Sequence, residues 1–269
     1  MDLQLAGKRA LVTGSSSGIG SGIARSLAAE GAAVVVHGRD VDRAEKVAAA
    51  IVDSGGSAAV ATGDLATDEG AQAVADAACA AFGGIDILVN NAGGASELDD
   101  KSWFAVPIDE WLKSYERNVT AAGRLVHRLV PPMRERAWGR VIQISTAAAT
   151  LPTSAQPDYG PAKAALLNMS LGLSKALTGT GVTVNSVSPG MIRTPGLDEF
   201  LRGFAERRGW GTDIQKAADY ILKGTGQTVA RIGTVEDVAY AVGWVASLRA
   251  DFLNGPNLHV DGGGASNIY

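Results

Sequence analysis

The chain has 269 residues, 46% hydrophobic and 19% charged, and its 24 basic and 28 acidic side chains leave a net charge of −4. This is the balance of an ordinary folded protein, and the absence of a basic stripe argues against nucleic acid as its main partner. No apolar run reaches the ~18 residues of a membrane span and Met1-Asp2 does not open a signal peptide, so a cytoplasmic protein without membrane partners is expected. A lone Cys79 excludes an internal disulfide, and His37, His127 and His259 are too scattered for metal ligation. A chain of this length buries roughly three quarters of its unfolded surface and needs no such staples.

In chain order, Arg9 to Thr13 reads as a short apolar strand. Gly14-Ser15-Ser16-Ser17-Gly18-Ile19-Gly20 follows and leads into a helical pattern over 18–30 through Ile23, Ala24, Leu27 and Ala28. Strand, glycine-rich turn and helix in that order is the context in which a pyrophosphate is held at a helix N-terminus. Glycines permit the tight turn and the close backbone approach. Further strands are predicted near 33–37, 57–62, 85–89, 139–145, 182–187 and 257–260, with helices over 41–53, 68–82, 108–136, 159–178 and 235–248. Runs such as Val34-Val35-Val36 suit strands covered on both faces. The alternation implies an α/β fold: a single domain over 1–269 built on a parallel sheet with right-handed crossovers. Residues 191–230 are a polar, arginine-bearing insertion after the sixth strand, placed where ligands of open α/β sheets bind, and read as a substrate-covering lid.

Tyr159 and Lys163 stand four residues apart in Tyr-Gly-Pro-Ala-Lys, one above the other on a single helix face. A free tyrosine titrates near ~10, and an adjacent cation favours the phenolate. Lowering that value by ~3 units would take about 4 kcal/mol of differential stabilisation. Taken alone, the spacing reads as a tyrosine packed on a helix beside a solvated lysine; the motifs around it turn the expectation to a proton-exchanging centre with a depressed tyrosine pKa.

Taken with these residues, Asp64-Leu65, Asn90-Asn91-Ala92-Gly93, Asn118, the hydroxyls at 145–146 and Pro189-Gly190 with Thr194 make the chain closely resemble the short-chain dehydrogenase/reductase family, in a 3-oxoacyl-reductase-like form. The match runs from Lys8 to about Gly263. The resemblance implies a doubly wound Rossmann-type sheet of seven strands ordered 3-2-1-4-5-6-7, with helices on both faces. It further implies hydride transfer between a nicotinamide cofactor and a ketone or secondary alcohol. Tyr159 would be the general acid for reduction or base for oxidation. Lys163 would lower its pKa and bind the nicotinamide ribose, and Asn118 would hold a relay water. The family's catalytic serine usually lies thirteen positions before the tyrosine, where this chain has Thr146. Adjacent residues on a strand point to opposite faces, so Thr146 is favoured and Ser145 is the alternative.

The same resemblance assigns cofactor contacts to Gly14, Ser16, Ser17, Gly18, Ile19 and Gly20 in the first turn. Asp64 and Leu65 would flank the adenine, and Asn91, Ala92 and Gly93 the adenosine ribose. Ile192 and Thr194 would meet the carboxamide and pyrophosphate, with Pro189, Gly190, Tyr159 and Lys163 completing the set. At the end of the second strand the usual acidic position is Gly38, followed by Arg39. Glycine leaves room for a 2′-phosphate and a guanidinium can clamp it, which favours NADP(H), with NAD(H) as the alternative if Asp40 turns inward. Trp103, Phe104, Met191, Phe200, Phe204 and Trp210 are candidates for a pocket mouth, whereas Arg202, Arg207 and Arg208 read as a solvated helix face. A small-molecule carbonyl or alcohol is the expected partner, and a homo-oligomer, tetramer or dimer, is implied through the last strand and the helices at 108–136 and 159–178. A nucleotide-binding sensor without turnover is a further alternative, disfavoured by the presence of Tyr159, Lys163 and Asn118.

Overall fold

The computed structural model describes residues 2–96, 102–152, 154 and 156–264. In chain order the elements are β1 (Arg9–Val12), α1 (Gly18–Ala29), β2 (Ala33–Gly38), α2 (Val41–Asp53), β3 (Ser57–Thr62), α3 (Asp68–Phe82) and β4 (Ile87–Asn90). Then follow α4 (Ile108–Tyr115), a π turn (Glu116–Thr120), α5 (Ala121–Glu135), β5 (Gly139–Ile144), α6 (Tyr159–Ala176) and β6 (Val182–Pro189). The last are α7 (Pro195–Arg207), α8 (Ile214–Gly224), α9 (Val235–Ala246) and β7 (Asn257–Val260).

The strands form one seven-stranded sheet in the order β3-β2-β1-β4-β5-β6-β7, and every neighbouring pair is parallel. Alternate side chains of a strand serve opposite faces. Val34 and Val36 pack with Ile23 and Leu27 of α1, Val47 of α2 and Val238 and Val242 of α9. Val35, between them, belongs to the other core with Val74 of α3 and Leu125 and Leu129 of α5. The all-valine run of β2 is thus needed on both sides, which is why it lacks a polar alternation.

Two segments depart from the sequence-based reading. The helix expected over 108–136 is interrupted at Glu116–Thr120, where five residues adopt π geometry. The cause is Asn118, whose amide nitrogen donates to the Ser114 carbonyl within the helix and to the Gly94 carbonyl in a distant loop, both at 2.9 Å. A side chain inserted into the helix ladder widens it locally. The 191–230 insertion is not a merely polar excursion. Its helices α7 and α8 close a small core of their own around Leu201, Ala205, Ala217 and Ala218, fringed by Phe204, Trp210 and Ile221. Thr194 caps α7 by accepting the Leu197 N–H at 3.2 Å, and Asp213 caps α8 through the Lys216 N–H at 2.9 Å.

Candidate active site

β1 neighbours both β2 and β4, so the chain reverses its direction of travel across the sheet there and a crevice opens at the strands' C-terminal ends. The loop after β1 turns through Gly14 (φ +61°) and Gly18 (φ +54°), conformations that disfavour a Cβ. A Cβ on Gly14 would stand 2.9 Å from Ala92 Cα, and one on Gly20 would collide with the Gly14 carbonyl. Asn91 locks the turn by donating to the Thr13 and Gly14 carbonyls at 2.9 and 3.1 Å. The Thr13 hydroxyl in turn accepts the N–H groups of Asn91 and Ala92, each at 2.9 Å.

Two adjoining cavities of about 420 and 520 Å³ run along the crevice. The first is lined by Gly14, Ser16, Gly38, Arg39, Asp64, Leu65 and Ala92, and the second by Gly18, Ile19, Gly20, Ser145, Tyr159, Lys163 and Thr194. Ser17, Arg43, Asn91 and Gly93 border both. Pro189, Gly190 and Ile192, expected on the cofactor, line neither. Gly190 instead packs on the last strand, donating its N–H to the Val260 carbonyl at 3.0 Å, and Ile192 is buried in the core beside Val187 and Val238.

α6 begins at Tyr159 itself. Pro161 falls in the first turn, where its missing N–H has no intrahelical partner to lose. This start places Lys163 one turn below the tyrosine, its ammonium 5.9 Å from the ring centroid. Lys163 is 3% exposed and donates to the Ile144 carbonyl at 2.9 Å. Burial pulls its pKa down to about 8, and burial also pushes the Tyr159 phenol up to about 12. The expected depression of the tyrosine is therefore corrected. Desolvation of the phenol outweighs the ammonium, which lies over the ring and is itself weakly charged above pH 8. The one group opposing the rise is Thr146, whose side chain hydrogen-bonds the phenol.

The hydroxyls at 145 and 146 diverge, as strand geometry requires. Ser145 is buried and donates to the Lys163 carbonyl at 3.1 Å, which ties the end of β5 to α6. Thr146 faces Tyr159 and also accepts the Ala148 N–H at 3.4 Å. Asn118 does not line the cavities but abuts Gly93, which does. Its oxygen accepts the Gly94 N–H at 3.0 Å, so both amide hydrogens and one lone pair are committed to backbone. Gly93, at φ +145°, lies so close that a Cβ there would collide with the Asn118 oxygen and reach 3.3 Å from the Lys163 ammonium.

At the end of β2, a Cβ on Gly38 would stand 2.7 Å from the Ser16 hydroxyl, so a carboxylate at that position requires the first turn to shift. Asp40 borders the same cavity, and one of its carboxylate oxygens caps α2 by accepting the Arg43 N–H at 3.1 Å. Arg43, in the first turn of α2, joins Arg39 on the cavity wall. It was missed in the sequence, although Asp40 followed by a helical pattern marks the cap that aims it.

The model of the family described as short chain dehydrogenase matches residues 8–202. The chain is a short-chain dehydrogenase. It is 32% identical to the 3-oxoacyl-[acyl-carrier-protein] reductase FabG of Vibrio cholerae, over 97% of this chain and 98% of that one. Among solved structures, L-sorbose reductase from Gluconobacter frateurii complexed with NADPH and L-sorbose aligns over all of both chains, at 33% identity and a TM-score of 0.94. A 7α-hydroxysteroid dehydrogenase complexed with NADH and 7-oxo glycochenodeoxycholic acid covers 100% of this chain and 98% of its own, at 28% identity and TM-score 0.82. This short-chain dehydrogenase is a nicotinamide-dependent oxidoreductase. Its residues fit such a dinucleotide: a glycine turn with no room for a Cβ at Gly14 or Gly20, two cavities joined at Ser17 and Gly93, and a phenol with an ammonium at the far end.

Proposed function

We propose that the protein is an NADP(H)-dependent carbonyl reductase, working as an alcohol dehydrogenase in reverse. The observation that carries the reading is Tyr159 and Lys163 together on the wall of the second cavity, with the Thr146 side chain hydrogen-bonded to the phenol. Nicotinamide, when bound, supplies the hydride to the carbonyl carbon. The carbonyl oxygen then needs a proton, and Tyr159 holds one: a phenol at about 12 is fully protonated at neutral pH. Thr146 donates a second hydrogen bond to the same oxygen as negative charge develops on it. Lys163 replaces the proton, since a pKa of about 8 lets it give one up near neutral pH. Asn118, anchored on the Ser114 carbonyl, holds Gly94 through two hydrogen bonds and so positions the adjoining Gly93 against the ribose region. With the phenol raised, the proton that reduction needs is in place on Tyr159 at neutral pH.

NADP(H) is favoured over NAD(H) by the side chains around Gly38. Arg39 and Arg43 offer two guanidinium groups to a 2′-phosphate, and of the Asp40 carboxylate between them one oxygen is engaged as a helix cap. NAD(H) remains the second reading, supported by the NADH complex of the 7α-hydroxysteroid dehydrogenase. The 191–230 segment acts as a lid on one domain, because Thr194, Pro195, Gly196 and Glu199 at the start of α7 wall the second cavity. The protein works as a homo-oligomer in the cytoplasm. Tyr240 and Trp244 on α9, Phe252 and the open edge of β7 leave an exposed apolar face there, and Ile108 and Leu112 leave another on α4. A monomeric mass in sedimentation at micromolar concentration refutes that assembly.

The test offers NADPH and NADH in parallel with ketones, 3-oxoacyl thioesters and ketoses, following cofactor absorbance. Turnover with NADPH that Tyr159→Phe abolishes, and an NADPH Kd raised by Arg39→Ala, are the expected results. Full turnover in Tyr159→Phe overturns the mechanism, and turnover with NADH alone overturns the cofactor preference.

A further inference from the structure

His37 carries the last side chain of β2 and is only 3% exposed, yet it borders the first cavity. Four hydrogen bonds converge on it. Its Nδ1 accepts the Gly14 N–H at 3.0 Å, and its Nε2 meets the Gly63 carbonyl at 3.1 Å. Its main chain exchanges two more with Ser15: the His37 N–H donates to the Ser15 hydroxyl at 2.9 Å, and the Ser15 N–H to the His37 carbonyl at 2.8 Å. An N–H pointing at Nδ1 and a carbonyl at Nε2 leave one arrangement, the neutral imidazole with its proton on Nε2. The ring thereby bridges the glycine turn after β1 and the end of β3, on either side of the strand that carries it.

We propose that His37 is a positioning residue for the adenosine half of the cofactor: its neutral ring fixes the distance between the Gly14 turn and Gly63, and protonation breaks that brace. The proposal rests on reading the crevice as the dinucleotide site. A second proton, on Nδ1, would face the Gly14 N–H donor to donor and leave that amide without its acceptor. Burial already pushes the imidazole below its ordinary value, with Arg39 adding to the fall, while the Gly63 carbonyl and Asp64 oppose it. Those two charged groups, one after β2 and one after β3, are the ones that face the ring; Gly14 and the serines of the first turn bring none. A depressed pKa means that the brace is whole at pH 6.5 and above and is lost as pH falls through the lowered value.

The test is a fluorescence titration of the purified protein with NADPH and, separately, NADH between pH 5 and 8, without substrate. The wild type is expected to hold a constant Kd above pH 6.5 and to weaken about ten-fold or more below it with both cofactors. NADH is the control for the 2′-phosphate, which itself titrates near pH ~6. His37→Phe is expected to bind about ten-fold more weakly at pH 8 and to lose the acid limb. His37→Asn, whose amide oxygen can take the place of Nδ1 under Gly14, should recover most of the affinity and show no acid limb with NADH. Equal Kd values for wild type and His37→Phe at pH 8, or an acid limb with NADH that survives in His37→Asn, overturn the proposal. A wild type that binds neither cofactor at pH 8 overturns instead the reading of the site.

Discussion

The divergence of the two hydroxyls after β5 separates a chemical role from a scaffolding one, and the pair Thr146→Val and Ser145→Ala measures the difference. Valine keeps the shape of threonine and removes only the donor beside the Tyr159 phenol. Loss of one donor to a developing oxyanion costs about 10²–10³ in kcat, or ~3–4 kcal/mol of transition-state stabilisation. Ser145→Ala removes a buried bond to the Lys163 carbonyl. Such a bond contributes ~1 kcal/mol to stability, and at ~2–4 °C per kcal/mol for a chain of this size the Tm should fall by a few degrees. The lysine side chain keeps its own anchor on the Ile144 carbonyl, so kcat should change by less than about five-fold. Thr146→Val also loses the weak cap on the Ala148 N–H, at 3.4 Å, so the two variants should melt at similar temperatures. Steady-state kinetics with NADPH and the best carbonyl, read beside thermal melts, gives the answer. Full turnover in Thr146→Val, or a hundred-fold loss in Ser145→Ala without loss of fold, refutes the reasoning.

Two other outcomes follow from the site. Gly38→Asp, the substitution that ought to select NAD, is expected to weaken NADPH and NADH alike, because its Cβ meets Ser16 at under 3 Å; improved NADH affinity in isothermal titration contradicts it. Lys163 titrates at about 8 in the folded protein against 10.5 in the free chain, so the unfolded state holds the extra proton between those values. The cofactor-free protein should thus gain about 3 kcal/mol as pH rises from 8 to 10.5, and lose it again as pH falls from 10.5 to 8. Urea denaturation of wild type and Lys163→Met across that range checks the sign, since the variant should lack this rise.

The strands and the glycine turn are legible because they are set by local chemistry. Val34-Val35-Val36 must be covered on both faces, and Gly14 and Gly18 occupy backbone conformations that glycine tolerates best. The spacing of Tyr159 and Lys163 is likewise local to one helix. What escaped the sequence is tertiary. Nothing between Ile108 and Glu135 marks a break at 116–120, since the π turn depends on an Asn118 bond to Gly94, far away in the chain. The direction of the Tyr159 shift is invisible without its burial, which outweighs a lysine that the pattern alone suggests is dominant. The helices α7 and α8 were hidden because their apolar residues serve each other and not the sheet. His37 reads as a plain strand residue until the loops after β1 and β3 are brought to it.

Because every strand pair in the sheet is parallel, no two neighbours can be joined by a tight hairpin, and each pairing must await a long crossover. Such topologies assemble slowly, since distant segments must meet before they reward one another. The crevice draws on the ends of β1, β2, β3, β4 and β5 together with the start of α6. No fragment or half-built sheet contains it. Helical signal will therefore return early in refolding while dinucleotide binding returns last, and the catalytic centre doubles as an internal record that the chain has finished folding.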